Sequence, residues 1–243
     1  MNLRQLLYTE RYFLLVYLLF WGVLCALLMV WGYEKSFLLL NSQHHPFADK
    51  IMPHLTHLGH GVLVGGLLLV IGRRSEIPVL AALIITLLSI SLVIGMSKSL
   101  IFPDWFRPVK VFGAAQIHFI SLIGEKNQSF PSGHSAVAAA SFFFTDLAIS
   151  RKRWWISTGL VIMSVLACYT RVYIGVHFPA DILAGSFAGI AISVLVYLWI
   201  KGYYDSGGLR FLAPARRAAL VFGALGMILL AIDLTVILTQ NYL

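Results

Sequence analysis

The amino-acid sequence predicts an all-α fold, a polytopic membrane helix bundle forming one membrane-embedded unit over residues 1–243, and three observations carry that reading. First, 59% of the 243 residues are hydrophobic and 12% are charged, against about 45–50% and about 25% in an average soluble domain. Second, seven stretches approach the roughly 20 apolar residues needed to cross about 30 Å of hydrocarbon. Third, the basic residues cluster in alternate loops, as a chain that crosses repeatedly would have them. A soluble globule could not cover its surface with 18 basic and 10 acidic side chains. Disorder is excluded, because low hydrophobicity is its prerequisite. The two cysteines, Cys25 and Cys168, both lie in apolar runs and form no disulfide framework.

The predicted spans are 12–32, 52–72, 78–97, 132–149, 154–173, 179–200 and 218–238. The first exceeds a typical signal core, and Trp31-Gly32-Tyr33 is no small-residue cleavage site, so it is expected to be retained. The second is the weakest, since His54, His57 and His60 occupy its outer third. Pro179 suits a first-turn position. Ahead of the first span, residues 1–10 are expected to form a short amphipathic helix on the inner leaflet.

With the N-terminus inside, eleven basic residues fall on the inner side, among them Arg73-Arg74 and Arg151-Lys152-Arg153, and seven on the outer side. N-inside and C-outside is therefore the expected orientation. The net charge of +8 reads as a topology signal and an attraction to anionic lipid. Nothing else in the sequence favours a nucleic-acid partner. The expected location is a bacterial inner membrane, with the outer loops facing the periplasm.

Under this topology, polar residues of catalytic type gather at one surface. Lys98 ends the third span, Arg107 lies in the following loop, His134 opens the fourth span and Arg171 closes the fifth. His177 and Asp181 precede or open the sixth. Ionisable groups at such depth are costly unless paired or solvated, which makes them functional candidates. Lys98, Arg107 and Arg171 offer fixed positive charge for a phosphate, and arginine can grip its oxygens in a two-pronged way. The run Phe130-Pro131-Ser132-Gly133-His134 leads into a helix start, whose open N–H groups and positive dipole end suit an anion. Gly133 there permits close backbone approach. His177 and Asp181 are four residues apart, so the carboxylate can fix the imidazole tautomer and leave the other ring nitrogen free to attack. A second histidine can then protonate the leaving oxygen.

These residues resemble the signature of the type 2 phosphatidic acid phosphatase superfamily, whose three parts are Lys-x6-Arg-Pro, Pro-Ser-Gly-His and Ser-Arg-x5-His-x3-Asp. The second part is intact as Pro131-Ser132-Gly133-His134, and the third stands as Thr170-Arg171-x5-His177-x3-Asp181, with threonine for serine. The first is irregular. Arg107-Pro108 matches, but eight residues separate Lys98 from Arg107 instead of six. The motifs cover 98–181. The resemblance implies a six-helix core over 12–200, with 218–238 as a C-terminal addition, and a lipid phosphatase that uses no metal and no cofactor. It also implies roles. His177 attacks phosphorus to form a phosphohistidine, oriented by Asp181, and His134 protonates the leaving group and then activates water. Lys98, Arg107 and Arg171, with the Ser132 hydroxyl and the Ser132 and Gly133 backbone N–H groups, hold the phosphate oxygens.

The expected partners are a lipid phosphate substrate and the surrounding membrane lipids. Undecaprenyl diphosphate, phosphatidylglycerol phosphate and lipid A phosphates all remain open as substrates. Two other readings stay open as well: phosphoryl transfer to a second lipid, and a non-enzymatic anion-binding or transport protein. The row His54, His57, His60 admits interfacial hydrogen bonding, headgroup contact or a metal. His44, His45 and His118 read as solvated loop residues, Asp146 as an inner-end acid without a role, and Asp233 as a polar contact to the core helices. Trp105 and Phe106 read as interfacial anchors or as guides for a lipid.

Overall fold

The computed structural model describes residues 1–59, 77–120, 128–150 and 153–208. Within them the chain forms α1 (Leu3–Thr9), α2 (Arg11–Asn41), α3 (Pro46–Leu55), α4 (Ile77–Met96), α5 (Pro108–Phe112), α6 (Gly133–Ile149), α7 (Trp154–Tyr173) and α8 (Pro179–Asp205). A 3-10 turn, Thr56–Gly59, follows α3, and a π turn, Ser97–Ile101, prolongs α4. Among the described residues, four helices are long and apolar enough to cross a membrane: Arg11–Asn41, Ile77–Ile101, Trp154–Tyr173 and Pro179–Asp205. Gly133–Ile149 is a shorter apolar helix between them. The protein is an all-α integral membrane protein.

Expected and observed boundaries agree best for spans four and five. Span five is α7 itself, and span four is α6 with Ser132 as its N-cap, the side chain accepting from Ser135 N. The first span runs nine residues past its expected end. Gly32 takes φ 72° and ψ −174°, a conformation that essentially only glycine adopts, and the chain returns to helix immediately after it. The sixth span continues to Asp205. The start of the second, from Met52, is the end of α3 and the 3-10 turn. Its remainder, including His60, and all of span seven, including Asp233, lie outside the described residues. The expected N-terminal helix is present as α1, closed by a capping box between Asn2 and Gln5.

Small residues set the central packing. α6 and α8 run parallel, and a Cβ at Gly185 or Gly189 would collide with the backbone carbonyl of Ser132 or Ala136. Backbone contact this close requires glycine. Around the pair lies a core of Leu6, Phe13, Tyr17, Phe143, Phe144 and Tyr197. Two polar links cross it: Tyr17 Oη lies 2.6 Å from Ser164 Oγ, and Trp21 Nε1 donates to Ser186 Oγ at 2.9 Å. The opposite face of α2 presents Leu15, Leu18, Leu19, Val23 and Met29 outward, the side on which a lipid-bathed helix needs apolar cover. At the end of α2, Asn41 fastens three segments at once. Its Nδ2 donates to the carbonyls of His118, Val172 and Tyr173, and its Oδ1 accepts from His118 N.

One expectation is corrected here. His118 is not a free loop side chain: its Nε2 lies 2.8 Å from Asp49 Oδ1, and its ring stacks on His44 with centroids 4.2 Å apart. Asp49 also accepts from Tyr173 Oη at 2.6 Å, and that bond, followed by the charge of His118, lowers its pKa. His45 caps α3 by accepting from Phe47 N. Asp146, near the C-terminal end of α6, is fully buried and accepts from Ser157 Oγ at 2.9 Å.

Candidate active site

The C-terminal ends of α2, α4 and α7 and the N-terminal ends of α6 and α8 meet at one end of the bundle. α7 stops at Tyr173 because Gly175, at φ 79°, turns the chain, and a Cβ there would also strike the carbonyl of His118 at 2.6 Å. Within that turn Val176 N and His177 N both donate to Arg171 O, at 3.1 and 3.0 Å. The main chain thus fixes His177 beside Arg171 before any side chain is considered. Pro179 opens α8, and Asp181 closes its first turn by accepting from Phe178 N at 2.9 Å.

His177 and Asp181 are 1% and 0% exposed. His177 Nδ1 lies 3.1 Å from Asp181 Oδ2, so Nδ1–H donates to the carboxylate and Nε2 keeps its lone pair. Burial, then the charges of Arg107, Arg171, Lys98 and His134, hold the His177 imidazole well below its ordinary pKa. It is neutral at physiological pH. The same field shows that all five groups have gathered, since each acts on His177.

The cations arrive by separate routes. Arg107 is the N-cap residue of α5 and is buried. The loop before it is clamped by an antiparallel bridge between Phe106 and Gln128 and by Ser129 N donating to Trp105 O at 2.7 Å. Lys98 sits in the π turn, where Phe102 N bonds to Ser97 O, and its Nζ donates to Gln128 O at 3.2 Å. A π turn carries more residues per turn than α geometry, which takes up part of the irregular spacing between Lys98 and Arg107. Arg171 is 4% exposed, and its Nη1 donates to Thr56 Oγ1 at 2.8 Å.

The segment leading into α6 is tied to α8. Ser132 N donates to Asp181 O at 3.0 Å, so of the two backbone N–H groups expected to face an anion, this one is already committed. The Ser132 hydroxyl accepts from Ser135 N and Ser135 Oγ as the helix cap. Gly133 meets only Ile94 Cγ2, at 3.6 Å from a built Cβ, so packing does not demand glycine there. His134 lies against the 3-10 turn, within 3.4 Å of where a Cβ on Gly59 would sit.

Three contributors carried no sequence signal. Ser129 Oγ donates to Asp181 Oδ2 and lies 3.2 Å from His177 Nδ1. Tyr33 Oη donates to Asp181 Oδ1 at 3.0 Å. Thr56 receives Arg171. Ser129 stands three residues before Ser132, and Tyr33 directly after a glycine; those adjacencies were the available hints. Of the histidine row, His54 is exposed, and no group of three metal-ligating side chains able to hold an ion occurs among the described residues.

Comparison with known proteins gives the same answer as the motifs. The sequence profile of the PAP2 superfamily matches residues 77–204. Phosphatidylglycerophosphatase B of Bacillus subtilis is 28% identical over 175 residues, covering 65% of this chain and 76% of that protein. Undecaprenyl-diphosphatase of Sulfolobus acidocaldarius is 28% identical over 196 residues, covering 76% and 90%. Among solved structures, Aquifex aeolicus LpxE superposes with a TM-score of 0.57 at 25% identity, over 68% of this chain and 93% of that one.

Proposed function

The chain belongs to the PAP2 superfamily, and from that membership we propose that it hydrolyses the phosphate mono- or diphosphate ester of a membrane lipid through a phosphohistidine. The observation that carries the proposal is a buried, neutral His177 whose Nδ1 is committed to Asp181 amid Lys98, Arg107 and Arg171. An uncharged imidazole oriented by a carboxylate is a nucleophile. Three fixed cations around it supply charge where a phosphoryl transition state develops it.

In the first step His177 Nε2 forms a bond to phosphorus as the bond from phosphorus to the lipid oxygen breaks. His134 gives its proton to that departing oxygen. In the second step water attacks phosphorus, His134 takes the water's proton, and the N–P bond breaks to release inorganic phosphate and neutral His177. Lys98, Arg107 and Arg171 hold the oxygens throughout, joined by the Ser132 hydroxyl and the Gly133 N–H. No step requires a metal, so activity is expected to survive chelators. The charge distribution of the loops supports reading the site end as the outer, periplasmic face, at headgroup depth. An acyl or prenyl tail can then stay in the bilayer.

The names of the relatives bring phosphatidylglycerol phosphate and undecaprenyl diphosphate forward as substrates. The test is phosphate release by protein reconstituted in vesicles, with those two lipids and a lipid A phosphate compared by kcat/KM. Turnover of at least one, abolished in His177→Ala, supports the proposal. Anion binding without turnover of any would make it a binding protein. Phosphate appearing on a second lipid instead of in solution would make it a transferase.

A further inference from the structure

The PAP2 match begins at residue 77, yet a hydrogen bond to the Asp181–His177 pair comes from residue 33. We infer that Tyr33 is a positioning residue for the nucleophile, reaching it from the first membrane helix and outside the family region. The inference rests on the phosphohistidine reading of the site and extends its parts list.

The geometry is specific. Asp181 has two oxygens with different tasks. Oδ2 accepts from His177 Nδ1, Ser129 Oγ and Phe178 N. Oδ1 accepts from Tyr33 Oη at 3.0 Å. The hydroxyl therefore fixes the rotation of the carboxylate about its own axis, and that rotation keeps Oδ2 in line with the imidazole. The carboxylate is fully buried, so losing Tyr33 Oη would leave Oδ1 without that donor in a buried position, a loss felt more strongly than at a wet surface.

Two features hold Tyr33 in place. Its ring stacks on Phe178 with centroids 4.2 Å apart and planes 29° from parallel, and it meets the Trp105 ring edge-on at 5.7 Å. Behind it, Gly32 adopts its glycine-only backbone with nothing within 4 Å of a built Cβ. Side-chain packing thus does not explain glycine at 32. The backbone break does, and its product is the direction in which Tyr33 leaves α2. Phe178 lies between His177 and Pro179, so the ring under Tyr33 belongs to the catalytic turn itself.

A residue that acts through Asp181 should alter the chemical step and leave substrate capture alone. Tyr33→Phe keeps both ring contacts and removes only the hydroxyl. We expect kcat to fall about tenfold, as for loss of one hydrogen bond to a charged group, with KM within about twofold of wild type. Single-turnover formation of the phosphoenzyme should slow by the same factor. In an Asp181→Asn background the Tyr33→Phe effect should vanish, because the hydroxyl that the substitution removes acts through Asp181. Wild-type kcat in Tyr33→Phe, a change confined to KM, or an equal loss in the Asp181→Asn background would overturn the inference. If Tyr33→Phe does not fold, 3,5-difluorotyrosine at position 33 retains the ring and changes the donor strength of the hydroxyl; an unchanged kcat there overturns it too. Activity that survives His177→Ala would instead count against the phosphohistidine reading, so the two failures are told apart.

Discussion

The two ends of the bundle bury ionisable groups in opposite ways. At the site end, Asp181 is fully buried, receives four donors, and pairs with His177, which lies in the field of Lys98, Arg107 and Arg171. At the other end, where α1 meets α2 and α6 meets α7, Glu10 and Asp146 are both fully buried, and the described donor to the pair is Ser157. Burial, followed by the adjoining Asp146 carboxyl, pushes Glu10 up to about 10. The lesson is that depth alone does not make a catalytic group. Held by four donors, a buried acid can steer an imidazole; beside another acid, it takes a proton and becomes a neutral packing group.

Substitutions should separate the two ends sharply. His177→Ala is expected to lower kcat by about four orders of magnitude, and His134→Ala by about two to four, as the nucleophile and the proton donor respectively. Phosphate release from vesicles measures both, and a mild His177→Ala would end the distinction between the ends. Lys98→Ala should cost less, about 10- to 100-fold in kcat/KM, because two arginines still flank the phosphate. Equal losses for Lys98→Ala and His177→Ala would mean that the irregular first motif carries full weight.

The pH profile sharpens the contrast next. A depressed His177 pKa means the nucleophile protonates only below the ordinary histidine range. The acid limb of kcat/KM assigned to it should therefore lie below about pH 6.5. Arg107→Ala removes the largest of the neighbouring charges, so the same limb should move to higher pH, as read from kcat/KM between pH 4 and 8.

The smallest effect belongs to the acid pair. A group whose folded pKa is raised stabilises fully below its unfolded value, here 4.5, and that contribution drains away as pH rises toward about 10. Glu10→Gln, uncharged throughout, should leave kcat unchanged. It should raise the midpoint of thermal unfolding by a few degrees at pH 8 but not at pH 4. An equal shift at both would mean that Glu10 is charged in the folded protein.

Most of the site was readable before the fold because it is written as spacing. The turn that binds His177 N to Arg171 O and the four-residue step from His177 to Asp181 are both short-range, so fixed intervals in sequence encode them. The helices were readable from apolar runs, and their edges less so. Gly32 looks like a terminator when only composition is considered, because its backbone break is followed at once by more helix. Tyr33, Thr56 and Ser129 escaped for a different reason. Each meets its partner across a long stretch of chain, through one hydroxyl, and a single hydroxyl has no periodicity. The Ser132 N–H was misassigned because a helix start looks open in sequence, while here Asp181 O has already occupied it.

The two peptide links, His177 N to Arg171 O and Ser132 N to Asp181 O, also bear on how this molecule tolerates change. The first depends on the length of the loop and on Gly175, where backbone conformation and the nearby His118 carbonyl leave no room for a side chain. Lengthening 172–176 by one would rotate the imidazole out of register whatever residue were added.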